Sequence, residues 1–156
     1  MAVSTDKKHA SDRDPGKIEQ LLTRRVAEVV VADSLAKRLA SGKRLRVKLG
    51  VDPTAPDIHL GHTVPLKKLR EFQDLGHQVV FIIGDYTAKV GDPTGKSKTR
   101  PMLTDEEVKA NAETYLAQAG KILDLKKTEV RWNGEWFSKL DFNGVLKLAA
   151  QFTVAR

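Results

Sequence analysis

The sequence predicts an α/β fold with a doubly wound parallel sheet, and three observations support this prediction. Segments typical of strands lie at Arg44–Gly50, Gln78–Ile83 and Thr128–Trp132. Segments with apolar residues at helical spacing separate them, so strands and helices alternate along the chain, as in sheets joined by right-handed crossovers. The middle strand, QVVFII, is almost continuously apolar, which is typical of a parallel strand that helices cover on both faces.

The predicted helices follow from apolar spacing and from residues that favour helix ends. They lie at Ile18–Ala40, at Leu60–Leu75, from Thr104 to about Leu123, and from Asp141 to the end of the chain at Arg156. Gly42 lies just past the first segment and Gly76 directly follows the second, as helix C-termini prefer. The third begins with threonine and two glutamates, a favourable N-terminal sequence because the hydroxyl caps the helix and the carboxylates complement its dipole.

Composition places the chain among single globular domains. It has 156 residues, of which 40% are hydrophobic and 30% charged. Residues 1–16 are polar and lysine-rich, so we expect a flexible tail before a domain of residues 17–156. The absence of cysteine excludes disulfides and cysteine-ligated zinc. Since no apolar run approaches a membrane span and no secretory signal is present, we expect a cytoplasmic protein with no membrane contact.

The net charge of +7, from 27 Lys and Arg against 20 Asp and Glu, is compatible with a polyanionic partner such as nucleic acid and equally with a solvated basic surface. Two polar loops carry more information. Residues 51–59 and 84–103 each follow a predicted strand directly. Ligands of parallel α/β sheets bind beyond the carboxyl ends of the strands, so we expect both loops to face one pocket.

The first loop, PTAPDIHLGH at 53–62, leads into a helix that begins with two histidines. A helix N-terminus offers free N–H groups and partial positive charge to phosphate, and Gly61 leaves room for a base or ribose. His59 and His62 can donate hydrogen bonds to a phosphate that gains charge in a transition state. A metal pair is the alternative, but nearby ligands are limited to two aspartates without zinc spacing, so no bound metal is expected. Two surface histidines without a role are the other alternative.

The second loop contains Gly-Lys-Ser, which suggests a phosphate-binding loop of the Walker type. That motif needs four residues between its first glycine and Gly-Lys-Ser, whereas Gly91 is followed by three, one of them Pro93. The motif is therefore excluded. What remains is a carboxylate, Asp92, followed by the cations Lys96 and Arg100, which suits a site holding an ammonium group at one end and polyphosphate at the other.

Together, KLGVDPTAPDIHLGH (48–62), LREFQDLGH (69–77) and GDYTAKVGDPTGKSKTR (84–100) resemble the class I aminoacyl-tRNA synthetases. The HIGH motif of that family stands here as HLGH at 59–62. The resemblance extends from about residue 18 to the end. The GDPTGKS-type loop fits the tyrosine branch better than the tryptophan branch, which remains an alternative. The resemblance implies a Rossmann-like nucleotide-binding fold, of which this chain would be the N-terminal portion.

The resemblance also implies roles for individual residues. The ATP site would comprise Gly50, Asp52, Pro53, Thr54, His59, Gly61 and His62. The tyrosine site would comprise Lys48, Thr87 and Asp92, with Asp92 accepting a hydrogen bond from the α-ammonium. Catalytic roles would fall to Thr54, His59, His62, Lys96 and Arg100, which would stabilise the departing pyrophosphate. Many family members have a tyrosine where this chain has Lys48, so the contact with the substrate phenol would differ here.

The implied reaction joins tyrosine to Mg-ATP, giving tyrosyl-adenylate, and then transfers tyrosine to tRNA-Tyr. Positioning and charge stabilisation would carry the catalysis without a protein-bound metal. The full-length enzyme would be a homodimer through the region 133–156. No segment matches the KMSKS motif of the family, so we expect a truncated portion with little activity alone. The alternatives are a non-catalytic nucleotide- or RNA-binding module and a structural role in subunit pairing.

Overall fold

A three-stranded parallel sheet forms the centre of the computed structural model, which describes residues 11–90 and 102–152. The strands are β1 (Arg46–Val51), β2 (Gln78–Ile83) and β3 (Thr128–Trp132), and they lie in the order β1-β2-β3. Val51 pairs with Ile83, which pairs with Trp132, so the three carboxyl ends meet at one edge. The predicted parallel α/β fold is confirmed. The first strand was predicted two residues too early.

Within residues 11–90 and 102–152, six helices accompany the sheet: α1 (Pro15–Thr23), α2 (Ala32–Ala40), α3 (Leu60–Asp74), α4 (Asp105–Ala119), α5 (Gly134–Phe137) and α6 (Phe142–Ala149). The same residues include 3₁₀ turns at Thr87–Val90 and Leu125–Lys127. The helices predicted at 60–75 and from 104 are present, and α4 ends at Ala119 rather than near Leu123. The last predicted helix ends at Ala149, where a turn follows. None of these helices is long and apolar enough to cross a membrane, as far as the described residues extend.

The single helix predicted at 18–40 is wrong, because the chain forms two helices there. Arg25 and Val31 both adopt left-handed backbone conformations with φ of 57°. The Nζ of Lys68 in α3 donates hydrogen bonds of 2.9 and 2.8 Å to the carbonyls of Leu21 and Arg24. These bonds satisfy carbonyls at the end of α1, which a continued helix would have used.

Residues 11–16, which the sequence assigned to a flexible tail, pack against the domain. Ser11 is buried, and its N–H donates to the carbonyl of Gly42 at 3.3 Å. The N–H of Asp12 donates to Leu75, and the carboxylate of Asp14 caps α1. The predicted tail at 1–10 lies outside the described residues. The folded part therefore begins by residue 11.

Both crossover helices lie on the same face of the sheet. Val79, Phe81 and Ile83 of β2 point into a core shared with Leu66 and Leu69 of α3 and with Ala112 and Ala119 of α4. The opposite face of the strands carries Arg46, Lys48, Gly50, Val80, Ile82, Glu129 and Arg131. There Arg46 forms an ion pair of 2.7 Å with Glu129 across β2. We call this face the open face. The apolar middle strand predicted helices on both faces of the sheet. The described crossover helices, α3 and α4, cover one face.

Candidate active site

The two histidines of the HLGH motif cap the start of α3 reciprocally. The Nδ1 atom of His59 accepts a hydrogen bond of 3.1 Å from the N–H of Gly61, and the Nδ1 atom of His62 accepts one of 3.2 Å from the N–H of His59. Since each Nδ1 atom is an acceptor, each neutral imidazole carries its proton on Nε2. The ring centroids lie 4.1 Å apart. The helix start therefore presents two neighbouring imidazole N–H donors.

The His59 cap leaves little room for a side chain at Gly61. A Cβ at Gly61 would lie 2.8 Å from Cε1 of His59 and 2.9 Å from its Nδ1. The His59 ring folds over the Gly61 backbone, and a side chain there would push the ring away. Sequence reasoning assigned the glycine only to the close approach of a base or ribose.

Asp52, just beyond β1, is connected to the ends of the other two strands. Its Oδ1 accepts a hydrogen bond of 2.7 Å from the hydroxyl of Thr87, which follows β2. That hydroxyl accepts one of 2.8 Å from the amide of Asn133, which follows β3. Asn133 is only 6% exposed, and its Oδ1 accepts from the N–H of Tyr86 at 2.9 Å. Asp52, predicted for the ATP site, and Thr87, predicted for the tyrosine site, are thus in direct contact. Asn133, which was absent from the predicted site, binds the Thr87 hydroxyl.

Gly84 makes the contact between Asp52 and Thr87 possible. A Cβ at this position would lie 1.8 Å from Oδ1 of Asp52 and 2.6 Å from the Thr87 hydroxyl. Gly134 has a similar place beside Asp85, whose carboxylate accepts its N–H at 2.8 Å. Gly84 directly follows β2, and Gly134 is the second residue after β3. That position was the signal in the sequence, because such glycines often permit close backbone approach.

The remaining predicted site residues occupy different positions. Pro53 is buried, and Thr54 is exposed with its N–H donating to the Asp52 carbonyl at 2.8 Å. Lys48 is exposed on the open face, on the same side of β1 as Gly50. A Cβ at Gly50 would meet no atom of the described residues within 4 Å, its two chain neighbours aside. The three predicted residues of the second loop, Asp92, Lys96 and Arg100, lie outside the described residues.

A cavity of about 300 Å³ lies between the end of β1, the start of α3 and the middle of α4. Asp52, His62 and Tyr115 contribute its polar groups, and the rest of its lining is mainly apolar. The rings of His62 and Tyr115 meet edge to face at 6.1 Å. Burial, followed by the charges of Asp52 and Asp57, raises the pKa of Tyr115, so this phenol stays protonated at neutral pH. The cavity is at the lower end of the size range of small-molecule sites.

Within residues 11–90 and 102–152, no group of three or more His, Cys, Asp or Glu side chains could hold a metal ion. The site so described consists of helix N–H groups, imidazole N–H groups, one held carboxylate and a space above Gly50. This combination can bind an anion at the start of α3 and a polar molecule on the adjoining edge of the sheet.

Comparison with known proteins identifies relatives of this chain. Residues 40–156 match the family model of tRNA synthetases class I (W and Y). A tyrosine–tRNA ligase of Dehalococcoides mccartyi is 59% identical over 90% of this chain, and one of Thermotoga maritima is 56% identical over 91%. The chain spans 35% of the length of each of these two relatives.

Comparison with solved structures finds a similar fold in a tyrosyl-tRNA synthetase. The crystal structure of a tyrosyl-tRNA synthetase from Archaeoglobus fulgidus, complexed with L-tyrosine, superposes with a TM-score of 0.73. It is 24% identical, and the match covers 91% of this chain and 42% of that one. This likeness concerns the fold.

Proposed function

Because the chain belongs to the family of class I tRNA synthetases (W and Y), we propose that it is the nucleotide-binding portion of a tyrosine–tRNA ligase. The observation that carries the proposal is the reciprocal histidine cap at the start of α3, beside the Asp52 carboxylate. The relatives that match over most of the chain are named tyrosine–tRNA ligases, which favours tyrosine over tryptophan.

In the proposed reaction, the carboxylate of tyrosine attacks the α-phosphate of Mg-ATP and pyrophosphate leaves. The Nε2–H groups of His59 and His62 donate hydrogen bonds to phosphate oxygens as negative charge develops on them, with the hydroxyl of Thr54 nearby in sequence. Gly61 and the first turn of α3 supply backbone N–H groups and the positive end of the helix dipole. These groups need no rearrangement during the reaction because the cap already holds them.

Tyrosine occupies the open face above Gly50 in this proposal. Lys48 lies at one end of that space and Asp52 at the other, since alternate residues of β1 point to the same side. Thr87 and Asn133 bound the Asp52 end. Lys48 donates to the substrate phenol, and Asp92, Lys96 and Arg100 bind the ammonium group and pyrophosphate. Magnesium enters as part of Mg-ATP rather than as a resident ion.

The partners belong to the proposal as well. The chain would act in the cytoplasm on tRNA-Tyr. Residues 133–156 would form a homodimer contact. Exposed apolar side chains on α6 support this assignment, among them Phe142 and Leu146, at 75% and 51% exposure.

Tyrosine-dependent ATP–pyrophosphate exchange tests the proposed function. We expect little exchange from the 156-residue chain alone, and exchange after it is mixed with the separately produced C-terminal part of the Dehalococcoides mccartyi relative. His62→Asn serves as a matched variant, because Asn Oδ1 can replace Nδ1 as the acceptor of the cap but cannot replace Nε2–H. His62→Ala removes both functions.

Exchange with tyrosine that falls in both His62 variants supports the proposal. Exchange that follows tryptophan instead would assign the chain to the other branch of the family. A reconstituted complex that binds Mg-ATP but exchanges nothing with either amino acid would indicate a nucleotide-binding module and contradict the ligase.

A further inference from the structure

One stripe of α4 is hydrogen-bonded to the proline-rich loop before the histidines. The amide of Asn111 donates to the carbonyl of Pro53 at 3.1 Å, and the hydroxyl of Thr114 donates to the carbonyl of Pro56. The Oε1 atom of Gln118 accepts from the N–H of Ile58 at 3.0 Å. Asn111, Thr114 and Gln118 are separated by three and four residues, so they share one face of the helix.

The loop depends on these bonds because it has little hydrogen bonding of its own. Residues 52–58 form neither helix nor strand, and the prolines at 53 and 56 have no N–H. Backbone groups without a partner are costly when water is excluded. Gln118 satisfies the loop at two points, since its Nε2 also donates to the carboxylate of Asp57 at 2.7 Å.

The helix that supplies these side chains is itself firmly held. Thr104 and Glu107 form a reciprocal cap at its N-terminus, with hydrogen bonds of 3.2 and 2.9 Å. Val108, Ala112 and Ala119 are buried on its inner side. The stripe therefore projects from a rigid element, which is what precise placement of a binding loop requires.

We propose that Asn111, Thr114 and Gln118 are positioning residues for ATP binding. They fix the loop between Asp52 and His59, and thereby the direction of the two imidazole N–H groups. They touch the loop rather than the nucleotide, so their effect reaches ATP through the backbone. This inference rests on the proposed function and adds to it the helix that holds the nucleotide loop.

The inference predicts different effects on the binding of ATP and of tyrosine. Thr87 and Asn133, which bound the proposed tyrosine space, are held by Asp52 and by each other at the ends of β2 and β3. The α4 stripe is bonded to the loop on the other side of Asp52. Removing the hydrogen bonds between the α4 stripe and the loop should therefore raise KM for Mg-ATP and leave KM for tyrosine nearly unchanged.

The experiment compares Gln118→Met and Thr114→Val, which keep side-chain size and remove the hydrogen bonds. Thr114→Ser restores the hydroxyl, and Glu113→Gln changes an exposed residue of the same helix. Two quantities are measured: hydrogen exchange of the Ile58 amide by NMR in the 156-residue chain, and both KM values in the chain reconstituted with the C-terminal part. Urea unfolding of each variant controls for global stability.

We expect faster Ile58 exchange in Gln118→Met and a KM for Mg-ATP raised about ten- to hundredfold in Gln118→Met and Thr114→Val, since small misplacements of binding groups have effects of this size. Thr114→Ser and Glu113→Gln should resemble the parent chain. An unchanged KM for Mg-ATP, or equal rises for ATP and tyrosine, would overturn the inference. A third outcome is that the Ile58 amide exchanges slowly in the parent chain and faster in Gln118→Met, while the parent chain binds no Mg-ATP. That outcome would overturn both the proposed function and the ATP role. It would leave the hydrogen bonds between α4 and the loop in place.

Discussion

The Asp52 carboxylate is held at the end of a chain of hydrogen bonds through Thr87 to Asn133. The Thr87 hydroxyl approaches its Oδ1 to 2.7 Å, and the backbone of Gly84 lies directly beneath both groups. Asn133 fixes the direction of the hydroxyl by donating to its oxygen. The Asp52 carboxylate is therefore held by the Thr87 hydroxyl, whose own direction is set by Asn133.

Gly84→Ala should damage ligand binding more than stability. The added Cβ would overlap Oδ1 of Asp52, a side-chain atom that can rotate away, so the loss of unfolding free energy should stay within about 1–2 kcal/mol. The hydrogen bond to Thr87 would be lost and the carboxylate would turn from its present position. Since small misplacements of binding groups have large effects, affinity should fall about tenfold or more. Titration with Mg-ATP and tyrosine, beside urea unfolding, measures both effects.

Gly16→Ala is the matched control, because that glycine lies in the first turn of α1, away from the site. An affinity in Gly84→Ala equal to that of the control would show that the orientation of Asp52 does not matter.

Residues within one short motif could be predicted from the sequence, whereas residues that act across the fold could not. His59, Gly61 and His62 lie within four positions, so their local pattern carried the prediction. Asn133 reaches Thr87 across 46 positions, and Gln118 reaches Ile58 across 60. A single buried amide has no distinctive local pattern, and its partners become apparent only when the strands and helices are assembled.

At the scale of elements, α6 has no buried residue, like the short α5 before it. Its apolar residues lie on the surface of the single chain, and Leu140 and Phe152 at its two ends are exposed as well. An exposed apolar surface of this kind is typical of a protein–protein contact. The proposed homodimer would cover it.

Leu146→Glu should therefore separate dimers without destabilising the chain. Leu146 is half exposed, so we expect a change in unfolding free energy within about 0.5 kcal/mol. Burying a charge in an apolar interface is costly, so the sedimentation coefficient should fall to that of a monomer. Lys147→Gln, on the same turn, changes the net charge by the same one unit at an exposed position and serves as the control. A parent chain that is monomeric when reconstituted with its C-terminal part would refute the dimer.

The helices also show where local pattern fails. Apolar spacing continues through residues 24–31, so one helix was predicted at 18–40, but Lys68 ends α1 from a different helix 44 positions away. The strand β2 was predicted with its correct bounds, because six consecutive residues of high β propensity and low polarity leave little choice.

At the scale of the whole molecule, one buried histidine links stability to pH. The Nδ1 atom of His77 accepts from the N–H of Leu45 at 3.2 Å, and its Nε2 atom is buried without a partner among the described residues. Burial, and next the nearby charge of Arg44, lowers the pKa of His77 below its ordinary value of 6.5. The folded chain therefore holds this side chain neutral.

We expect the unfolding free energy to fall as the pH drops below about 6.5. In that range the unfolded chain binds a proton that the folded chain excludes, so the contribution of His77 is complete above the unfolded pKa and is lost towards the lower folded pKa. One proton gives a slope of at most about 1.4 kcal/mol per pH unit. Urea unfolding between pH 5 and 8 measures it.

His77→Asn isolates this effect, because Asn Oδ1 can accept from Leu45 but does not titrate. The unfolding free energy of the parent chain, relative to that of the variant, should fall as the pH drops below about 6.5. A constant difference would mean that His77 does not set the acid limit of stability.

The bonds from Asp52 to Thr87 and from Asn133 to Thr87 span 35 and 46 positions. The last partner arrives only when β3 has joined the sheet, because Asn133 directly follows that strand. During synthesis, Asp52 and the two histidines leave the ribosome long before the residue that fixes Thr87. The nascent chain should therefore possess its HLGH helix start before it possesses an ordered site, and the space that Thr87 and Asn133 bound should form in a single late step together with β3.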